Sequence, residues 1–171
     1  MDVNQRWRTL RLDFEPLTAD HATELAPLLN DAALHEFIGG APLDLASLTA
    51  RYARLQGRRS PDGRQLWGNW LMRIRGTGAA VGTVQVTLPA DGPADGPAEV
   101  AWVVSRPAQG HGYAKEAAIG LVTLLRESGW AVEAHIHPGH LASQHVARAA
   151  GLTPTEESVD GEIRWVSQRP S

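Results

Sequence analysis

The residues with the plainest chemical use stand between Gln109 and Ala114, where the chain reads Gln-Gly-His-Gly-Tyr-Ala. Gly110 and Gly112 keep side chains off the backbone, and a helix-forming run starts directly after them. The first N–H groups of a helix have no intrahelical acceptor and lie at the positive end of its dipole, so consecutive amides can meet an anion. The amides of Gln109, Gly110, His111, Gly112, Tyr113 and Ala114 are therefore a predicted phosphate seat. Two other glycine-rich designs do not fit. A dinucleotide fold wants Gly-x-Gly-x-x-Gly, but position 115 is Lys, and a P-loop wants a Gly-Lys-Ser/Thr that does not follow.

A second cluster is His135-Ile136-His137-Pro138-Gly139-His140. His135 and His137 share a strand face with His140 just beyond, a spacing that could hold zinc or another divalent ion. Only His145 or a carboxylate stands nearby to complete such a set and no second ligand pair is evident, so the expectation is no metal.

These residues need elements to hold them. Val100 to Val104 is an apolar run ended by Ser105, Arg106 and Pro107, the pattern of a buried strand. From Ala114, apolar residues recur at Ala117, Ala118, Leu121, Leu124 and Leu125, which predicts a helix that packs on a sheet. Upstream, Thr9 to Leu17 alternates, with Leu10, Leu12 and Phe14 facing inward. Thr18 can cap a helix through Asn30 that Pro27 should kink or shorten, and Asp44 caps a second helix carrying Leu45, Leu48, Tyr52 and Leu55 up to Gly57. Leu34 to Pro42 between them reads as a loop. Leu66 to Arg75 and Val81 to Leu88 read as antiparallel strands, and the doubled Ala-Asp-Gly-Pro unit in Pro89 to Ala98 as an extended surface loop. Trp130 to Ile136 is a strand, and Leu141 to Leu152 a helix with Leu141, Val146 and Ala150 inward. Thr153 to Ser158 and Glu162 to Ser167 form a hairpin around Asp160-Gly161. The order is β-α-α-β-β-β-α-β-α-β-β, an α/β (α+β) fold with a mixed, mostly antiparallel sheet of six to seven strands and helices on both faces.

With 171 residues and 43% hydrophobic content, residues 1–171 suit one domain with a proper core. A net charge of -3 offers no general attraction to nucleic acid or to an anionic membrane. There is no cysteine, which excludes a thiol intermediate and suits a reducing compartment. Nowhere do eighteen apolar residues run together, so a soluble cytoplasmic protein is expected, with a homodimer left open.

Gln109, Gly112 and Ala114 match Gln/Arg-x-x-Gly-x-Gly/Ala, and the chain here resembles the pyrophosphate loop of the GNAT (GCN5-related) N-acetyltransferases. Gln-Gly-His-Gly-Tyr-Ala-Lys-Glu-Ala is most similar to the branch that includes the ribosomal-protein N-terminal acetyltransferases, and the element order is that family's order. The resemblance implies acetyl-CoA as cosubstrate and an amine acceptor. It places the pantetheine arm along Trp102, Val103 and Val104, where the fourth and fifth strands part. It also implies an Asn-x-x-Ser after the fifth strand. This chain has His140-Leu141-Ala142-Ser143, so Ser143 stands where relatives carry the acid for the departing thiolate, and His140, in the asparagine's place, remains able to bond to the ligand or the backbone. Helix capping is the other use of Ser143. The family's alternative, a tyrosine, would fall near Ala147.

Attack requires a neutral amine, so a base or a water chain must take a proton. Glu99, opening the fourth strand, is the first candidate, with Glu162 and Glu36 behind it. The acceptor wall is expected from Phe37, Trp67, Asn69, Trp70 and Trp165, since aromatic walls suit an apolar or cationic amine. Two further readings stay open, a CoA-dependent sensor without catalysis and a histidine metal site.

Overall fold

The computed structural model describes residues 1–38 and 40–167. Gly39, in the segment expected as a loop, and residues 168–171, at the end of the expected domain, lie outside the described residues.

The elements in chain order are β1 (Trp7–Arg8), β2 (Leu12–Pro16), α1 (Ala22–Leu29), α2 (Ala32–Ile38), α3 (Leu45–Leu55), β3 (Gln65–Ile74), β4 (Ala80–Pro89), β5 (Ala98–Val104), α4 (Tyr113–Glu127), β6 (Val132–Ile136), α5 (Leu141–Ala149), β7 (Leu152–Val159) and β8 (Glu162–Ser167). They build one open sheet in the order β1-β2-β3-β4-β5-β6-β8-β7. Every neighbouring pair is antiparallel except β5 and β6. That parallel pair holds register only at Ala98 opposite Val132 and Glu99 opposite Glu133, after which the strands are no longer paired. No helix among the described residues is long and apolar enough to cross a membrane.

Strand alternation sorts the side chains onto two faces. Trp70, Met72, Val84, Val86 and Val100 bury against Ala117, Ala118, Leu121 and Leu125 of α4 and Ala147 of α5. Leu71, between Trp70 and Met72, points the other way and packs with Leu25 of α1 and with Leu48 and Tyr52 of α3. Trp70 and Trp165 are 0% and 1% exposed, so two tryptophans expected at the acceptor wall belong to the core instead. Strand spacing alone does not distinguish a wall from a core. The Trp70 indole N–H donates to the Gln5 carbonyl at 2.9 Å.

Four further departures have local causes. Leu10 is 85% exposed because residues 9–11 form the turn from β1 into β2, so the inward set begins at Leu12. The additional strand β1 is held by Trp7, which stacks on Phe14 with ring centroids 3.5 Å apart. The segment around Phe37 is helical, not a loop; Asp31 starts α2 by accepting from the Ala33 amide at 2.9 Å. Leu141 is 64% exposed, and Ala147 is the residue α5 buries. Pro27 lies inside α1 without ending it, since the helix runs on to Leu29 and is capped by Asn30, whose amide donates to the Ala26 carbonyl at 2.9 Å. The final hairpin turns at Asp160 and Gly161, with φ of 51° and 83°, the left-handed pair of a tight two-residue turn.

Candidate active site

Where β5 ends, the Gln109 side chain folds back and donates from Nε2 to the Val104 carbonyl at 3.1 Å, tying the loop to the strand. Gly110 and Gly112 then take φ of 81° and 79°, a region costly for residues with a Cβ. The first bond of α4 runs from the Glu116 amide to the Gly112 carbonyl at 3.0 Å. The Gln109 amide, expected in the seat, donates instead to the Arg106 carbonyl at 3.1 Å, whereas the amides of Gly110 through Lys115 precede the helix ladder and none donates to another described residue. They form a row of free donors at the positive end of a fifteen-residue helix.

The sequence did not announce what supports this row. Arg11, in the turn just before β2, donates from Nη1 to the His111 carbonyl at 2.9 Å and from Nε to Glu116 Oε2 at 2.6 Å, with its guanidinium 5.0 Å from the centre of the Tyr113 ring. Glu116 also accepts from the Thr9 hydroxyl and the Arg11 amide. Burial pushes the Glu116 carboxyl up, but the hydrogen bonds from Thr9 and Arg11 more than offset it and hold it below the ordinary carboxylate range. More than a hundred residues separate these partners along the chain, so no local pattern could have paired them.

Beside the loop, the end of β5, α2 and the start of α5 wall a groove of about 340 Å³, lined by Trp102, Val103, Val104, Gln109, Ala114 and Ser143. An adjoining cleft of about 210 Å³ holds Glu99, His135, His137 and Glu162. Phe37, Trp102, His140 and Ser143 line both. Ser143 Oγ lies 3.4 Å from His140 Nε2, and the Phe37 ring stacks on the His140 ring at 4.9 Å. Burial first, and the neighbouring His137 second, lower the His140 pKa below the usual imidazole value, so the ring is neutral at pH 7. Ser143 and His140 are therefore brought together at the seam of the two cavities. Ser143 makes no cap to α5.

Glu99 is exposed, with Oε1 3.4 Å from His135 Nδ1. The three histidines expected as a cluster take different partners. His135 faces Glu99, His137 Nδ1 accepts from the Gly139 amide at 3.0 Å, and His140 faces Ser143. Among the described residues, ligand atoms of Glu99, Glu133 and His135 come within 4.8 Å of one another, but Glu133 already accepts from Arg164 Nε at 2.7 Å. Trp67 is half-buried on β3, donates to Gln65, and lines neither cavity; Glu36 is exposed on α2 and lines neither.

Residues 11–153 match the family model of the acetyltransferase (GNAT) domain. No curated protein matches the sequence. Among solved structures, the chain is similar to an acetyltransferase from Agrobacterium tumefaciens, at 20% identity and a TM-score of 0.72 over 96% of this chain and 95% of that one. It is similar to RimL, a ribosomal L7/L12 α-N-protein acetyltransferase solved with coenzyme A, at 15% identity and a TM-score of 0.75 over 96% and 98%. It is also similar to AAC(6')-Ib solved with acetyl-CoA, at 17% identity and a TM-score of 0.74 over 93% and 94%. With a family model spanning most of its length, laid over this open sheet and this helix start, the chain belongs to the GNAT acetyltransferase family.

Proposed function

We propose that residues 1–171 are one catalytic domain that moves an acetyl group from acetyl-CoA to a primary amine, on a small molecule or a protein N-terminus, by direct attack in a ternary complex. The observation that carries this is the row of free amides from Gly110 to Lys115 opening onto the groove beside β5. The amides would hold the pyrophosphate, and the exposed edge of β5 around Trp102 to Val104 would hold the pantetheine arm. The coenzymes in the RimL and AAC(6')-Ib structures support acetyl-CoA as the cosubstrate. The absence of cysteine suits a reducing compartment, and we assign the protein to the cytoplasm.

In the reaction the amine nitrogen bonds to the acetyl carbon, a backbone N–H of the strand stabilises the oxyanion, and the carbon–sulfur bond breaks as the intermediate collapses. The ammonium first gives up a proton to Glu99, directly or through water. Ser143 gives its hydroxyl proton to the departing thiolate and takes back the second proton that the attacking nitrogen sheds as the amide forms, with the neutral His140 ring 3.4 Å from its oxygen to orient it. Direct attack needs no enzyme-bound acyl group, and with no cysteine in the chain a thioester-bound one is excluded.

Initial rates measured against both substrates should give intersecting lines, with CoA thiol released. Parallel lines, or acetylated protein found by mass spectrometry before any amine is added, overturn direct transfer. Glu99→Gln should slow turnover by about 10²; an unchanged rate removes Glu99 as the base.

A further inference from the structure

A third cavity, of about 130 Å³, lies beneath α1, α2 and α3 on the sheet face opposite α4. Leu29, Leu43, Leu48 and Leu55 wall it. Its floor is polar. Asn69, Gln85 and Thr83 occupy neighbouring positions on β3 and β4, and their side chains make no hydrogen bond to another described residue. Asn69 is only 5% exposed and Tyr52 only 4%, yet both line the cavity with no hydrogen-bond partner for the carboxamide or the phenol among the described residues. Neither is an enclosed orphan, since the buried unpartnered side-chain polar atoms among the described residues are those of Trp7 and Trp165; the carboxamide and the phenol keep the water access that a ligand's polar group would take over. Burial raises the Tyr52 pKa to about 12, so the phenol stays a neutral donor. No described carboxylate lines the cavity.

The cavity connects to the chemistry at two places. Leu34 and Val103 line both it and the groove beside β5, and Gln85 lines both it and the Glu99 cleft. We propose that this cavity selects the acceptor, and that the acceptor is an apolar amino-acid amide, its branched or aromatic side chain lodged among the leucines and its carboxamide bonded to Asn69 and the polar floor. Three observations fix that class. An apolar cavity of about 150 Å³ accommodates a benzene ring, so this one suits an isobutyl or phenyl group. The Asn69 carboxamide offers both a donor and an acceptor, the complement of another amide. A second ammonium would be stripped of water here with no carboxylate to receive it, which disfavours polyamines. A free amino-acid amide and a peptide N-terminus share this chemistry.

The inference rests on the acetyl-transfer reading, and the test separates the two. Acetyl-CoA binding is measured by calorimetry, and CoA release is followed with L-leucinamide, glycinamide, isopentylamine, spermidine and the tripeptide Leu-Gly-Gly. Leucinamide should exceed glycinamide, isopentylamine and spermidine in kcat/KM by at least about tenfold. The ranking of Leu-Gly-Gly against leucinamide identifies which source is used, provided both outrun glycinamide. Asn69→Leu should bring leucinamide down to within about twofold of isopentylamine, and Leu29→Phe should bring it down to glycinamide, in each case with acetyl-CoA still bound as proof of folding. Calorimetry of leucinamide into the CoA-loaded protein should show the same ranking without turnover. Spermidine or glycinamide matching leucinamide, an undiminished advantage in Asn69→Leu, or no leucinamide binding overturns the inference alone. Loss of acetyl-CoA binding in the unaltered protein overturns both.

Discussion

The proposed coenzyme side and the proposed acceptor side are built on opposite plans. On the coenzyme side a strand end, a turn and a helix start follow one another within Val104 to Lys115, and their backbone does the work. The acceptor side gathers side chains from α1, α2, α3, β3, β4 and β5, scattered from Leu17 to Val103. Backbone donors recognise a pyrophosphate in the same way whatever the side chains, so the first region can be fixed by a short pattern. The second would read out its acceptor through the shape and polarity of side chains, which leaves no pattern to find.

If the two regions are separable, variants should split affinity from turnover, and the largest split should come from Ser143. Ser143→Ala is expected to lower kcat by about 10² to 10⁴ while acetyl-CoA binds as before. His140→Asn should be mild; if it is the crippling change and Ser143→Ala keeps full speed, the histidine is the acid. Gly112→Asp should do the reverse, weakening acetyl-CoA by at least about 10² through a carboxylate facing the pyrophosphate and a Cβ at φ 79°. Undiminished affinity in the folded variant would falsify the phosphate seat.

A smaller effect tests the long-range tie. Glu116→Gln should cost about 1 kcal/mol of stability and weaken acetyl-CoA several-fold, because Arg11 would lose its charged partner beside the loop. A fall in melting temperature without any change in affinity would confine Arg11 to scaffolding. The smallest effect is a pH dependence. His140 has a lowered folded-state pKa, so below about pH 6.5 the unfolded chain takes up the proton first, and stability falls as pH falls. His140→Asn should flatten that decline in a melting-temperature series between pH 7 and 5; an unaltered slope assigns it to other groups.

Most of the architecture could be read from period and punctuation. Asp44 caps α3 through the Ser47 amide, and Asp160-Gly161 turns the last hairpin, because each relies on contacts a few residues apart. The glycine turn and the start of α4 were legible for the same reason. Reading failed where tertiary packing decides. Trp70 and Trp165 looked like walls and are core, since both faces of this sheet are covered and aromatic spacing does not say by what. Leu10 alternates correctly with Leu12 yet sits in a turn, and Phe37 belongs to a short helix whose start depends on Asp31. Asn69 shares the strand spacing of the tryptophans, and only the fold sets its carboxamide beside Tyr52, Thr83 and Gln85.

Two residue pairs are all that join β5 to β6, and that brevity has a mechanical side. The β6-β8-β7 meander is a leaf hinged to the rest of the sheet by this seam and by α4, which touches both strands. A coenzyme lying in the gap would act as mortar, supplying the unpaired strand edges with the contacts they lack. Ligand at a hundredfold excess over its Kd would add about 2.7 kcal/mol to global stability. Added amide protection should appear first along the edges of β5 and β6, making hydrogen exchange a readout of occupancy that needs no acceptor at all.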